Sequence, residues 1–138
     1  MKKLFVIIYL IIVFPVYFST AENCNLEPTI ISQLKEARFK NYDNLTYIGK
    51  VNEYYEIYYV SRYIESEYNV KAYNALTIFV DSELKGFYIG INLKPVIAGN
   101  KLLFNCNTEY GNSINFNNDE IPSVILIDGE IYEFQVFK

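Results

Sequence analysis

The chain has no histidine, no tryptophan and only two cysteines among its 138 residues. Without histidine, a catalytic triad built on an imidazole, a histidine metal ligand and an imidazole general base are all excluded. Charged residues make up 20% of the chain and apolar residues 51%. That balance excludes an intrinsically disordered protein, which needs low hydrophobicity and high charge.

Several sequence motifs that indicate catalysis or nucleotide binding are also absent. The sequence contains no G-x-S-x-G, no G-x-G-x-x-G, no phosphate-binding loop and no C-x-x-C. It has no D-x-D-x-D-G calcium loop either, and its nearest approach to an acidic cluster is Asp119-Glu120 with Glu109 before them. We therefore predict no catalytic residue, no metal and no cofactor. Paired carboxylates remain the one enzymatic option.

The first 21 residues have the pattern of a secretory signal peptide. Lys2 and Lys3 precede an apolar run over residues 4–14, Pro15 ends the run, and Ser19-Thr20-Ala21 places small residues before a cleavage site. The run is shorter than the approximately 20 residues that a spanning helix needs. We expect cleavage between Ala21 and Glu22, and a mature domain over residues 22–138 that is periplasmic or extracellular and leaves the membrane.

The formal net charge of such a domain indicates which classes of partner it can bind. Loss of Lys2 and Lys3, and of no acidic residue, changes the formal net charge from −4 to −6. Arginine occurs only at Arg38 and Arg62, and no basic cluster remains to neutralise phosphates. We therefore expect no nucleic acid as ligand, and we expect any protein partner to be basic.

Cys24 and Cys106 are the only cysteines, so their pairing is unambiguous if they pair at all. An oxidising compartment favours a disulfide, and nothing around either residue resembles a redox motif. The bridge would close a loop of about 80 residues, which stabilises the folded state by about 4 kcal/mol in the chain-entropy description. We predict a structural disulfide between them.

Hydrophobic periodicity predicts one helix followed by strands. Pro28 suits a first helical turn, and apolar residues then recur at three- and four-residue spacing, which predicts a helix over residues 28–39. The segments with strand character are residues 45–51, 53–64, 70–80, 84–93, 101–106, 114–116, 124–127 and 130–137. Asp128-Gly129 between the last two is a type I′ turn signal.

One helix before a series of strands at hairpin spacing indicates an α+β domain. We expect the N-terminal helix to pack on a strongly bent antiparallel meander of about six or seven strands. A small β-barrel with an N-terminal helix is the alternative architecture.

The tyrosine-rich segment 53–64 is the distinctive feature of the sequence. In a strand, alternate residues face opposite sides. One set, Tyr55, Ile57, Tyr59, Ser61 and Tyr63, has the composition of a core face. The other set mixes tyrosines with charge, as recognition surfaces do, and supplies our candidate binding residues, Tyr54, Glu56, Tyr58 and Arg62.

Three functions fit these observations. The first is a small exported, non-catalytic protein-binding module, of the inhibitor or immunity type. The second is a carboxylate-dependent enzyme that acts on a glycan, since glycoside hydrolysis needs two opposed acids. The third is a small-molecule carrier with an aromatic-lined pocket.

Overall fold

The computed structural model describes residues 28–65, 67–106, 111–117 and 120–138. The predicted signal peptide over residues 1–21 lies outside the described residues. Within them the elements are a helix α1 (Pro28–Glu36) and ten strands. The strands are β1 (Asn44–Val51), β2 (Tyr55–Glu65), β3 (Val70–Val80), β4 (Glu83–Ile89), β5 (Val96–Ala98), β6 (Lys101–Leu103), β7 (Ser113–Asn115), β8 (Val124–Ile127), β9 (Glu130–Glu133) and β10 (Gln135–Val136).

These strands form three antiparallel sheets. The main sheet has the order β1-β2-β3-β4-β10, a small sheet has the order β5-β6-β7, and β8 pairs with β9 alone. The chain is therefore mostly β, with one short helix among the described residues, and no sheet there closes into a barrel. A single meander of six or seven strands is not what these residues form, because the strand series is interrupted after β4. The Tyr59 hydroxyl donates to the Ile91 carbonyl at 2.9 Å, which holds the chain after β4 across one face of the main sheet.

The helix is shorter than the predicted 28–39. It ends at Glu36, where Ala37 N–H donates to Gln33 O and Phe39 N–H donates to Leu34 O, both at 2.9 Å. The Gln33 side-chain amide also joins the helix to the turn between β3 and β4. Its Nε2 donates to Ser82 O at 2.7 Å, and its Oε1 accepts the Leu84 N–H at 2.6 Å.

The main sheet is buried on both faces. The helix-side core lies on one face and consists of Ile30, Leu34, Ala37, Phe39, Tyr58, Val60, Ala75, Phe79, Leu84 and Phe87. The opposite core joins the other face to residues of the small sheet and the β8–β9 hairpin, and consists of Val51, Tyr55, Ile57, Tyr59, Leu76, Ile78, Tyr88, Ile91, Leu102, Phe104, Ile114, Phe116, Ile125 and Ile127. A strand in such a sheet has apolar residues on both sides, so alternation no longer separates core from surface.

Burial on both faces corrects the prediction for the tyrosine-rich strand. Tyr58 was expected to face solvent, yet only 6% of it is exposed, and its ring packs edge-on against Phe79 at 5.3 Å between centroids. Tyr63 was expected in the core, and it is exposed instead. The other four residues of the predicted core face, Tyr55, Ile57, Tyr59 and Ser61, are buried as expected.

Burial raises the pKa of the Tyr59 phenol to about 12, and the pKa of Tyr88 is raised by burial as well. A raised folded-state pKa stabilises the fold below the unfolded value of about 10 and loses that contribution as pH climbs towards 12. We therefore expect wild-type stability to fall over that interval.

Tyr59→Phe should make this alkaline fall shallower, because one titrating group is removed. The substitution should also cost about 1–3 kcal/mol near neutral pH, since the buried Ile91 carbonyl loses its donor. Urea midpoints of both proteins are measured near neutral pH and at about pH 11, and their difference gives the slope of stability against pH for each protein. Equal slopes would show that Tyr59 does not contribute to the alkaline loss.

Candidate functional site

The structure does not bring the four candidate binding residues together on one exposed face. Tyr54 is half-buried before β2 begins, with its ring 4.3 Å from that of Tyr55 between centroids. Glu56 pairs with Lys50 at 3.0 Å, and this hydrogen bond and charge raise the pKa of the lysine. Tyr58 is buried in the helix-side core. Of the four, only Arg62 lies beyond the last residue of β2 that pairs with β1.

Among the described residues, the end of β2 from Arg62 to Glu65 pairs only with Val70 to Tyr73 at the start of β3. The pairing of β1 with β2 ends at Asn44–Ser61, and the pairing of β3 with β4 begins at Ala75–Ile89. Yet β2 and β3 stay in register out to the pair Glu65–Val70. We call residues 62–73 the arm, Ser66 excepted because it lies outside the described residues.

The arm exposes large apolar and aromatic side chains. Tyr68 is 87% exposed and Tyr63 is 56% exposed, and Val70 and Tyr73 also face solvent. An isolated two-stranded ribbon is at best marginally stable in water, because it buries little apolar surface. Tyrosines concentrated on such a ribbon bury no core, so they contribute little to stability where they stand.

The base of the arm is nonetheless fixed to the main sheet. The Asp43 carboxylate accepts the Tyr63 N–H at 2.5 Å, and the Asp43 N–H donates to Ser61 O at 2.8 Å. On the other side, the Gly90 N–H donates to Asn74 O at 2.8 Å. The side chains change from apolar to polar at this level, since the pair Ser61–Asn74 follows the pair Val60–Ala75.

The two faces of the arm differ in chemistry. Directly paired residues share a face, and faces alternate along each strand. Tyr63, Val70 and Ala72 lie on the face that carries the opposite core further along the sheet. Arg62, Lys71 and Tyr73 lie on the helix-side face. The helix-side face of the ribbon thus combines two cations with an aromatic ring.

At the end of β2 opposite to the arm, the surface is concave. It is an open groove of about 470 Å³ with an apolar floor and two charged residues at its rim, lined by Tyr54, Tyr55, Val80, Lys85, Glu120 and Ile121. The charges do not converge into the groove as a pair, because Lys85 is bound to Glu83 on its own strand. Another open depression, of about 430 Å³, lies between β7 and β8.

Among the carboxylates whose side chains are described, Glu120 alone lines the groove beside Tyr54 and Tyr55, so no opposed pair of described acids lies there. Other acidic side chains are exposed, at Glu53, Glu67, Asp81, Glu83, Glu130 and Glu133, and Glu56 is held by Lys50. Within the described residues, no three potential metal-ligating side chains form a cluster. No described helix is long and apolar enough to cross a membrane.

Cys106 is half-buried after β6, with its Sγ 3.6 Å from Phe104 O and 3.7 Å from Gly111 O. Its predicted partner, Cys24, lies outside the described residues. The disulfide therefore stays a prediction.

No protein-family model, no curated protein and no solved structure matches this chain.

Sequence reasoning found one residue of the arm, Arg62, and missed the others. The predicted lengths do not reveal the arm, because the predicted segment 84–93 is only one residue shorter than 70–80. In the structure, β1 and β4 have 8 and 7 residues, whereas β2 and β3 each have 11, and this difference leaves the end of β2 and the start of β3 projecting.

Proposed function

We propose that this chain is a small exported, non-catalytic protein-binding module that contacts its partner with the arm. The observation that carries the proposal is the projection of a tyrosine-rich ribbon beyond both neighbouring strands. Tyrosine and arginine are the residues that dominate binding energy at protein interfaces, because they bury large areas and still form hydrogen bonds. The arm holds three tyrosines and one of the chain's two arginines.

The position of the arm supports the same conclusion. Its base is held by Asp43 and Gly90, so its direction is set before a partner binds. A preorganised element loses less conformational entropy on binding than a free loop. An inhibitor that inserts a ribbon into a target cleft would have this geometry.

The test compares capture of partner proteins by purified wild-type and variant chains, using the exporting cell's own secreted and envelope proteins. Tyr68→Ala should weaken binding by about thirtyfold, which corresponds to about 2 kcal/mol for an interface hot spot. The same substitution should change the free energy of unfolding by no more than about 0.5 kcal/mol, because Tyr68 is almost fully exposed.

Two valines provide a matched control. Val70 in the arm and Val96 in β5 are 64% and 63% exposed. Val70→Glu should prevent capture, because it places a charge in the contact surface, while Val96→Glu should leave capture unchanged. Capture alone does not support the proposal. Equal retention by both variants, or no captured protein with the wild type, would overturn it.

The remaining parts of the proposal come from the sequence. Export to the periplasm or the extracellular space is supported by the leader pattern of residues 1–21, and a Cys24–Cys106 bridge by the cysteine count. An α+β architecture, with the helix covering one face of the main sheet, is supported by Ile30 and Leu34 in the helix-side core.

A carrier of small molecules is the second candidate, and the groove beside Tyr54 and Tyr55 is the observation that favours it. Its apolar floor and aromatic wall suit a flat, mostly apolar ligand. Because the groove and the arm occupy opposite ends of β2, the arm variants separate the two functions. A carrier would keep its ligand in Tyr68→Ala and in Val70→Glu.

A further inference from the structure

The arm has a free backbone edge on the side where β4 would lie. In a β-strand, the N–H and C=O of one residue point to the same side, and those of the next residue point to the other. Asn74 O accepts the Gly90 N–H, so the backbone groups of Asn74 point towards β4. Two and four residues earlier, the backbone groups of Ala72 and Val70 must point the same way.

No strand among the described residues covers that edge. The pairing with β4 starts at Ala75, and residues 70–73 are all exposed. The other edge of the arm is partly occupied, because the Tyr63 N–H is already bonded to Asp43. The edge at Val70 and Ala72 therefore offers two donors and two acceptors in the spacing that an added antiparallel strand requires.

Charge indicates what kind of strand fits. Lys71 lies one pair beyond the Arg62–Tyr73 pair on the same face, so the two cations are diagonal neighbours. Neither the Arg62 guanidinium nor the Lys71 ammonium is within ion-pair distance of a carboxylate whose side chain the structure describes. The formal charge of residues 62–73 is zero, because Glu65 and Glu67 balance Arg62 and Lys71, but the two charged residues on the helix-side face are both cations.

We propose that the outer edge of the arm, at Val70 and Ala72, binds an extended peptide segment of alternating acidic and apolar residues by β-strand addition. Its acidic side chains would lie beside Lys71 and Arg62. Its apolar side chains would lie on the other face, beside Val70, Ala72 and Tyr63. The inference rests on the proposed function and specifies the partner at the arm, where the helix-side face carries two cations although the chain as a whole is acidic.

The probe is a short synthetic peptide of alternating Asp and Val, and binding is followed by isothermal titration and by backbone amide shifts. A peptide of alternating Lys and Val, and one with the Asp residues in a block, serve as controls. The wild type should bind only the alternating acidic peptide, with shifts confined to the arm. Binding should weaken as salt is raised, because exposed charges are screened.

Ala72→Pro tests the backbone edge. Proline removes the Ala72 N–H, which points outwards, and leaves the bonds between β2 and β3 intact. Ala72→Ser is the matched control because it keeps the N–H. We expect about tenfold weaker binding of the acidic peptide by Ala72→Pro and no change with Ala72→Ser.

Lys71→Glu tests the charge independently of any effect of proline on folding. It should weaken binding of the acidic peptide by about tenfold and allow binding of the alternating Lys-Val peptide. Equal peptide affinities of Ala72→Pro and Ala72→Ser would overturn the proposal, as would no preference for the acidic peptide.

Two further outcomes show whether the proposed function of the arm or the proposed strand addition is wrong. If Ala72→Pro keeps the natural partner while Tyr68→Ala loses it, the arm binds through side chains alone, and only strand addition is wrong. If the wild type sediments as a dimer that Ala72→Pro dissociates, the edge is occupied by a second copy, and the peptide assignment is wrong.

Discussion

Tyr58→Ala and Tyr59→Ala will both destabilise the protein, each by about 3–5 kcal/mol, although the two residues point to opposite faces of β2. This is the range for truncating a large buried aromatic side chain, which loses its transfer free energy and leaves a cavity. Tyr58 packs against Phe79 in the helix-side core, and its ring lies 5.0 Å from that of Tyr47 between centroids. Tyr59 packs in the opposite core and bonds to Ile91 O.

Urea unfolding measures both effects, with the dependence of free energy on urea concentration compared between variants. Tyr68→Ala in the arm is the control, because it removes the same side chain from a position with 87% exposure. If Tyr58→Ala were as stable as Tyr68→Ala, the helix would not cover that face of the sheet. The strand would then present Tyr58 to solvent, as the alternation of its sequence predicts.

Gly111→Ala will destabilise the β8–β9 side of the protein by about 3 kcal/mol. A Cβ at Gly111 would lie 2.3 Å from Leu126 O and 2.7 Å from Leu126 C, and these backbone atoms cannot move without shifting β8. The residue also has φ +73, where a side chain adds strain. Overpacking of this kind typically costs about 1–3 kcal/mol, and the left-handed backbone adds about 1–2 kcal/mol.

Gly99→Ala separates the two contributions. Gly99 has φ +63, but no atom lies within 4 Å of the position of its Cβ. It should therefore cost only the backbone strain. Hydrogen exchange should show faster opening of β8 in Gly111→Ala, because the Asp128 N–H donates to Gly111 O at 2.9 Å next to that strand. Equal losses for the two alanine variants would contradict the predicted clash with Leu126.

Local sequence was sufficient to predict a turn or a strand where the residues of one short segment determine its backbone conformation. The hairpin turn at Asp128-Gly129 was predicted, because that dipeptide accommodates the positive φ of both turn residues. Its second strand was predicted over residues 130–137, but β9 ends at Glu133, and Gln135–Val136 pairs with β4 instead. The bounds of β3 were also predicted correctly, since Val70–Val80 is rich in residues that suit a pleated surface.

The amino-acid sequence by itself determined the alternating direction of side chains along each strand, the absence of histidine chemistry and the leader pattern of residues 1–21. Only the tertiary structure decided which face of a strand is exposed and which residues project. Tyr58 and Tyr63 lie on the same strand, and the first is buried in the helix-side core against Phe79, while the second lies where the strand extends past its neighbours. The physical reason is that periodicity fixes the relative direction of side chains, whereas burial depends on what other segments pack against them.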